Sequence, residues 1–138
     1  TLMGEAVVFS EKNRVPHFFT IMKQHGALLA KGWLLGLQFD TLFTDGLYEH
    51  LGRPAIQAAD TIRDALQQYG YHLFFKTPTN QIFVIMANEQ LEHLAKKVSY
   101  SFWEAYDAEH TVIRLATSWG TTPEETDKLL TVLAEIAR

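Results

Sequence analysis

The stretch from Gly26 to Phe43 constrains this chain more than any other. Lys31 and Gln38 are its only polar side chains before Asp40, so a helix built from it is apolar almost all round. Such a helix cannot sit on a surface and is expected to be buried, by its own domain or by another subunit. It is shorter than a membrane span and is interrupted by Lys31 and Gln38, so no membrane role is expected. Gly26, Gly32 and Gly36 lack side chains and suggest places where a neighbour or ligand comes close.

The rest of the chain is expected to cover that helix. Its 138 residues, 47% hydrophobic and 20% charged, suit a single globular core. A net charge of −4 without a Lys/Arg cluster argues against a nucleic-acid surface. Cysteine is absent, which excludes disulfides, thiolate metal sites and cysteine nucleophiles together. No signal peptide is evident, and the cytoplasm is the default compartment. The chain opens on Thr1, and Ala6–Phe9 is expected to form a short strand almost at once. A strand with nothing before it to pair with marks the chain as the expected C-terminal piece of something longer.

Helices are expected from Pro16 to about Gln24 and from about Leu28 through the apolar stretch. A long helix then follows Thr44-Asp45-Gly46, with apolar residues from Leu47 to Tyr69 spaced by threes and fours and Gly70 as its C-cap. After Gly70 the period changes to that of strands. Tyr71–Phe75 and Gln81–Met86 are two apolar runs joined by a short polar link. Asn88 is placed to cap a helix carrying Leu91, Leu94, Ala95 and Val98. Tyr100–Tyr106 and Thr111–Trp119 are two further strands around a turn at Asp107–His110. The last helix has Thr122 as N-cap, Pro123 at N1, Glu125 completing a capping box, and Leu129, Leu130, Leu133 and Ile136 as its apolar stripe. The plan is α+β: a strand and long helices, then a ββαββα module whose small antiparallel sheet is covered by helices.

Few residues invite a chemical role. Arg114 lies in the middle of an apolar strand, on a face with Val112, Ala116 and Ser118. A guanidinium there calls for a carboxylate or phosphate ligand, or for a cross-strand ion pair with Glu104 or Asp107. Lys31 either snorkels to solvent or holds an anion near a site or a subunit boundary. The six histidines show no zinc-helix spacing, and no metal site is expected. Nucleophile elbows, P-loops and dinucleotide fingerprints are also absent from the sequence.

Several segments in order resemble the low-specificity threonine aldolases: Gly4–Phe9, Lys23–Gly32, Leu35–Phe39, Pro78–Phe83, Ser101–Glu104 and Val112–Trp119. That group belongs to the β-eliminating lyases of the aspartate-aminotransferase fold type, fold type I, which use pyridoxal 5'-phosphate (PLP). The resemblance implies that residues 1–45 are the end of a large PLP-binding domain with a buried crossover helix. Residues 46–138 are then the C-terminal small domain of an α/β enzyme. It also implies that the Schiff-base lysine, the pyridine-pairing aspartate and the ring-stacking histidine lie upstream of Thr1. No catalytic residue is then expected in this chain, which alone would be inactive, with PLP bound mainly by the missing N-terminal large domain. Arg114 resembles the arginine that holds the substrate's α-carboxylate, orienting the bond to be broken. Lys31 falls near the basic position that reaches the cofactor phosphate, often of a neighbouring subunit.

The implied reaction cleaves a β-hydroxy amino acid, threonine for instance, into glycine and an aldehyde. The implied partners are that large domain, the amino-acid substrate and further copies in a dimer or tetramer. Two alternatives stand beside this reading. One is a non-catalytic small-molecule-binding or dimerisation module. The other is a PLP β-eliminating lyase with another amino-acid substrate.

Overall fold

The computed structural model describes residues 3–12 and 14–137. The chain divides into two compact units, the first ending at Tyr48 and the second beginning at Glu49.

The first unit carries α1 (Phe18–Gln24) and α2 (Trp33–Phe43). Residues 4–9 have no regular secondary structure, which corrects the expected strand at Ala6–Phe9. Val7 is 72% and Val8 89% exposed, so neither the pairing nor the packing that stabilises a strand is supplied there. Gly26, with a φ of 70°, ends α1. Its N–H donates to the Lys23 carbonyl while the Ala27 N–H reaches back to Met22. It therefore closes a helix and does not mark a close approach.

The apolar helix begins at Trp33, later than the expected Leu28. A tight turn precedes it, closed by the Gly32 N–H on the Leu29 carbonyl. Of the two expected sources of burial, its own domain or another subunit, the helix's own unit supplies none: no described residue of the unit is buried, and Trp33 and Phe43 are 64% and 68% exposed. Apolar residues distributed all round a helix cannot be covered by one neighbour, and two short helices supply no more. A Cβ at Gly36 would meet nothing, so that glycine accommodates no neighbour within the unit.

The second unit follows the ββαββα plan. The long helix α3 (Leu47–Gln68) precedes β1 (His72–Phe75), β2 (Gln81–Ala87), α4 (Asn88–Leu94), β3 (Ser101–Ala105), β4 (His110–Ala116) and α5 (Pro123–Ile136). The four strands form one antiparallel sheet in the order β1-β2-β4-β3.

Gly70 ends α3 with a φ of 85°, its N–H donating to Gln67 and the Tyr71 N–H to Leu66. That left-handed cap turns the chain directly into β1. At the other end of the unit, Thr122 Oγ1 accepts the Glu125 N–H, and the Glu125 carboxylate accepts the Thr122 N–H. These bonds hold the Glu125 carboxyl below the usual carboxylate range, the backbone N–H of Thr122 being the main cause. Asn88 does not cap α4. Its side chain accepts from Thr111 Oγ1 and donates to the Ala108 carbonyl, tying the start of α4 to the β3–β4 turn.

One face of the sheet presents Ile82, Val84, Met86, Ile113 and Leu115 to the helices. Ile62 and Leu66 of α3, Leu91 and Leu94 of α4 and Leu133 of α5 complete this core. The alternation of β2 and β4 thus puts one set of side chains under helices and leaves the other set for the opposite face. Among the described residues no helix is long and apolar enough to cross a membrane.

Candidate functional site

The face turned away from the core is where Arg114 stands. Strand register sets its surroundings: Phe83 of β2 is its partner on one side and Ser101 of β3 on the other. Phe75 of β1 lies beyond Phe83, so four strands contribute to one row.

Aromatic rings line this row. Phe75 stacks on Phe83 with centroids 4.5 Å apart, and Trp103 meets Phe83 edge-on at 4.8 Å. Both edge strands carry a register shift here, between Leu73 and Phe75 on β1 and between Phe102 and Glu104 on β3. A bulge of this kind adds one residue to the strand and re-aims its side chains. On β3 it brings Trp103 against Phe83 while Ser101 remains opposite Arg114.

The Arg114 guanidinium is half-buried and meets only neutral oxygens. Nη1 donates to Gln81 Oε1 at 3.3 Å and Nη2 to Ser101 Oγ at 3.3 Å. Nε is buried and has no hydrogen-bond partner. The alternative of an ion pair with Glu104 or Asp107 is not what forms, since Arg114 makes no salt bridge among the described residues. Asp107 serves its own turn instead. Its carboxylate accepts the N–H groups of Glu109 and His110 and pairs with His110 Nδ1 at 2.9 Å. Those bonds, the Glu109 N–H foremost, hold the Asp107 carboxyl below its usual range.

A buried donor without a partner is costly, and an uncompensated charge in an apolar setting more so. A planar fork with N–H groups to spare is matched by a carboxylate or a phosphate. Gln81, Ser101, Phe75 and Phe83 were not picked out from the sequence. Only the pairing of β2, β3 and β4 brings them to Arg114.

Lys31 belongs to the first unit, in the turn before α2, and is exposed. Its carbonyl accepts the Leu34 N–H, while its ammonium makes no ion pair among the described residues. Every described lysine is exposed. No group of three or more potential metal ligands occurs among the described residues. An open cleft of about 820 Å³ in the second unit is lined by residues including Tyr71, His72, Phe74 and Asp107, and Arg114 is not among them.

No family model and no curated protein sequence matches the chain. Solved structures do. A threonine aldolase from Leishmania major superposes with a TM-score of 0.85 at 32% identity, covering 90% of this chain and 36% of that one. Serine palmitoyltransferases share the fold at 16% identity. The Sphingomonas wittichii enzyme does so at a TM-score of 0.51 over 62% of this chain and 24% of its own. One from S. paucimobilis, with PLP and myriocin bound, gives the same TM-score over 65% and 25%. The chain thus resembles a threonine aldolase over nearly all of its own length, and it spans about a third of that enzyme.

Proposed function

We propose that this chain is the C-terminal portion of a PLP-dependent lyase that cleaves β-hydroxy amino acids, with Arg114 as the residue that holds the substrate α-carboxylate. The observation that carries the assignment of Arg114 is its state: a half-buried guanidinium, held only by neutral oxygens, with Nε unpartnered. The likeness to threonine aldolase over 90% of the chain supports the enzyme class.

PLP, when bound, supplies the electron sink for breaking a bond at the amino acid's Cα. Within this chain the residue proposed toward it is Lys31, exposed in the turn before α2. The cofactor's binding is assigned mainly to protein outside this chain, with Lys31 proposed as a contact to its phosphate. We likewise assign the exposed apolar surface of α2 to contact with a large domain or a second subunit of a homo-oligomer.

The work of this chain is then orientation. Two parallel N–H bonds from Arg114 fix the plane of a bound carboxylate and so restrict rotation about the adjoining Cα bond. Arg114 binds and orients the carboxylate and is assigned no proton transfer in the step. The apolar rings of Phe75, Phe83 and Trp103 lower the local dielectric and strengthen the attraction of Arg114 for an anion.

The test is product analysis with the full-length protein and L-threonine. Glycine and acetaldehyde in equal amounts, dependent on PLP, are the expected result. No glycine or acetaldehyde from threonine, in a protein that shows the visible cofactor band, marks the PLP β-eliminating lyase with another amino-acid substrate. Neither product, with no visible cofactor band, marks the non-catalytic module.

A further inference from the structure

We propose that Gln81 and Ser101 are positioning residues that hold the Arg114 guanidinium in place without neutralising it, leaving its charge to the ligand carboxylate. This rests on the carboxylate-binding reading of Arg114 given above.

The two residues come from the strands on either side of β4. Gln81 is the first residue of β2 and Ser101 the first of β3. Each takes a different terminal nitrogen of the fork, Gln81 from Nη1 and Ser101 from Nη2, both at 3.3 Å. The guanidinium is therefore steadied from both sides of its strand, which fixes its plane. Both acceptors are uncharged, and both bonds are long for an N–H···O bond. They orient the group and offset little of its charge.

Arg63 provides the contrast within the same unit. Its side chain is 12% exposed, and Asp60 neutralises it. Its Nη1 also donates to the Thr79 carbonyl, so this shielded arginine has both an acidic and a backbone partner. Arg114, also shielded, has an amide and a hydroxyl where a carboxylate is chemically possible, since glutamate has the shape of the Gln81 side chain. An acidic side chain at position 81 would occupy the fork permanently and compete with any incoming carboxylate.

The experiment measures the affinities for glycine and for glycinamide in the PLP-loaded full-length protein, from the change in the cofactor's visible absorption, across a series of variants. Gln81→Glu is expected to weaken glycine binding at least about tenfold at neutral pH. Binding of glycinamide, which carries no carboxylate to compete for the fork, is expected to be unchanged in that variant. Gln81→Leu, which removes the acceptor without adding charge, is expected to weaken glycine binding less. Ser101→Ala is expected to weaken it several-fold, with Ser101→Thr restoring it.

Unchanged glycine affinity in Gln81→Glu overturns the inference. So does equal weakening of glycine and glycinamide binding in Gln81→Glu, which is what packing alone produces. Arg114→Gln in the same series separates the two levels. If that variant loses glycine while the position-81 variants do not, the positioning inference fails and the carboxylate reading stands. If it binds glycine normally, the carboxylate reading itself has failed.

Discussion

Phe83 on β2 stands directly across the sheet from Arg114 on β4. The pair sets a 5% exposed aromatic ring, flanked by Phe75 and Trp103, beside a cation with no acidic partner among the described residues. Apolar walls and an unneutralised charge on one sheet face are a poor arrangement for stability alone. They are a good one for capturing an anion from water.

The ring is nonetheless structural for the face it lines. Phe83→Ala is expected to destabilise the second unit by about 3 kcal/mol, through lost burial and the cavity left between Phe75 and Trp103. The midpoint of urea unfolding followed by Trp fluorescence measures it. A loss below about 1 kcal/mol would show that the aromatic row is not packed as described.

The cap of α5 gives a second prediction. Thr122→Ala removes the acceptor for the Glu125 N–H and is expected to cost about 1 kcal/mol. Thr122→Ser, which keeps the hydroxyl, is expected to lie within a few tenths of the parent. Thermal midpoints compare the two.

Gly70 gives a third. Its φ of 85° is strained for a side chain, and a Cβ there would meet nothing within 4 Å. Gly70→Ala is therefore expected to cost about 1–2 kcal/mol through backbone conformation alone. A neutral result by denaturant unfolding would mean that the α3 cap is not left-handed.

Acid sensitivity follows from two depressed carboxyls. Asp107 and Glu125 are both held below the usual range by hydrogen bonds made in the folded state. Their stabilisation is fully present above the unfolded value, about pH 4, and is lost as the pH falls through the lower folded value. Thermal midpoints are expected to stay level from neutral pH to about pH 5 and to fall below about pH 4. Asp107→Asn and Thr122→Ala should each flatten part of that acid limb.

The second unit was largely legible in the sequence because its local signals agree with one another. Gly70, the Thr122–Glu125 box and the apolar alternation of β2 and β4 each mark an element that forms where expected. The first unit was less so. The composition of Ala6–Phe9 and of residues 28–43 calls for burial, and burial requires partners that local pattern does not specify. Arg114 was visible as a cation in an apolar strand, while its two holders were not. Counting back from the Asp107–His110 turn without a bulge would pair Arg114 with Phe102. The shift between Phe102 and Glu104 slips the register by one and puts Ser101 there instead.

The most direct test of the central claim is the affinity of the PLP-loaded full-length protein for glycine, compared between parent and Arg114→Gln. Cofactor absorption is expected to be unchanged in the variant, because PLP binding is assigned to other residues. The dissociation constant for glycine is expected to rise by about 30-fold or more, the loss of a partly buried charge-paired contact. Unchanged glycine affinity in a variant that still carries its cofactor would contradict the assignment of Arg114 to the substrate carboxylate.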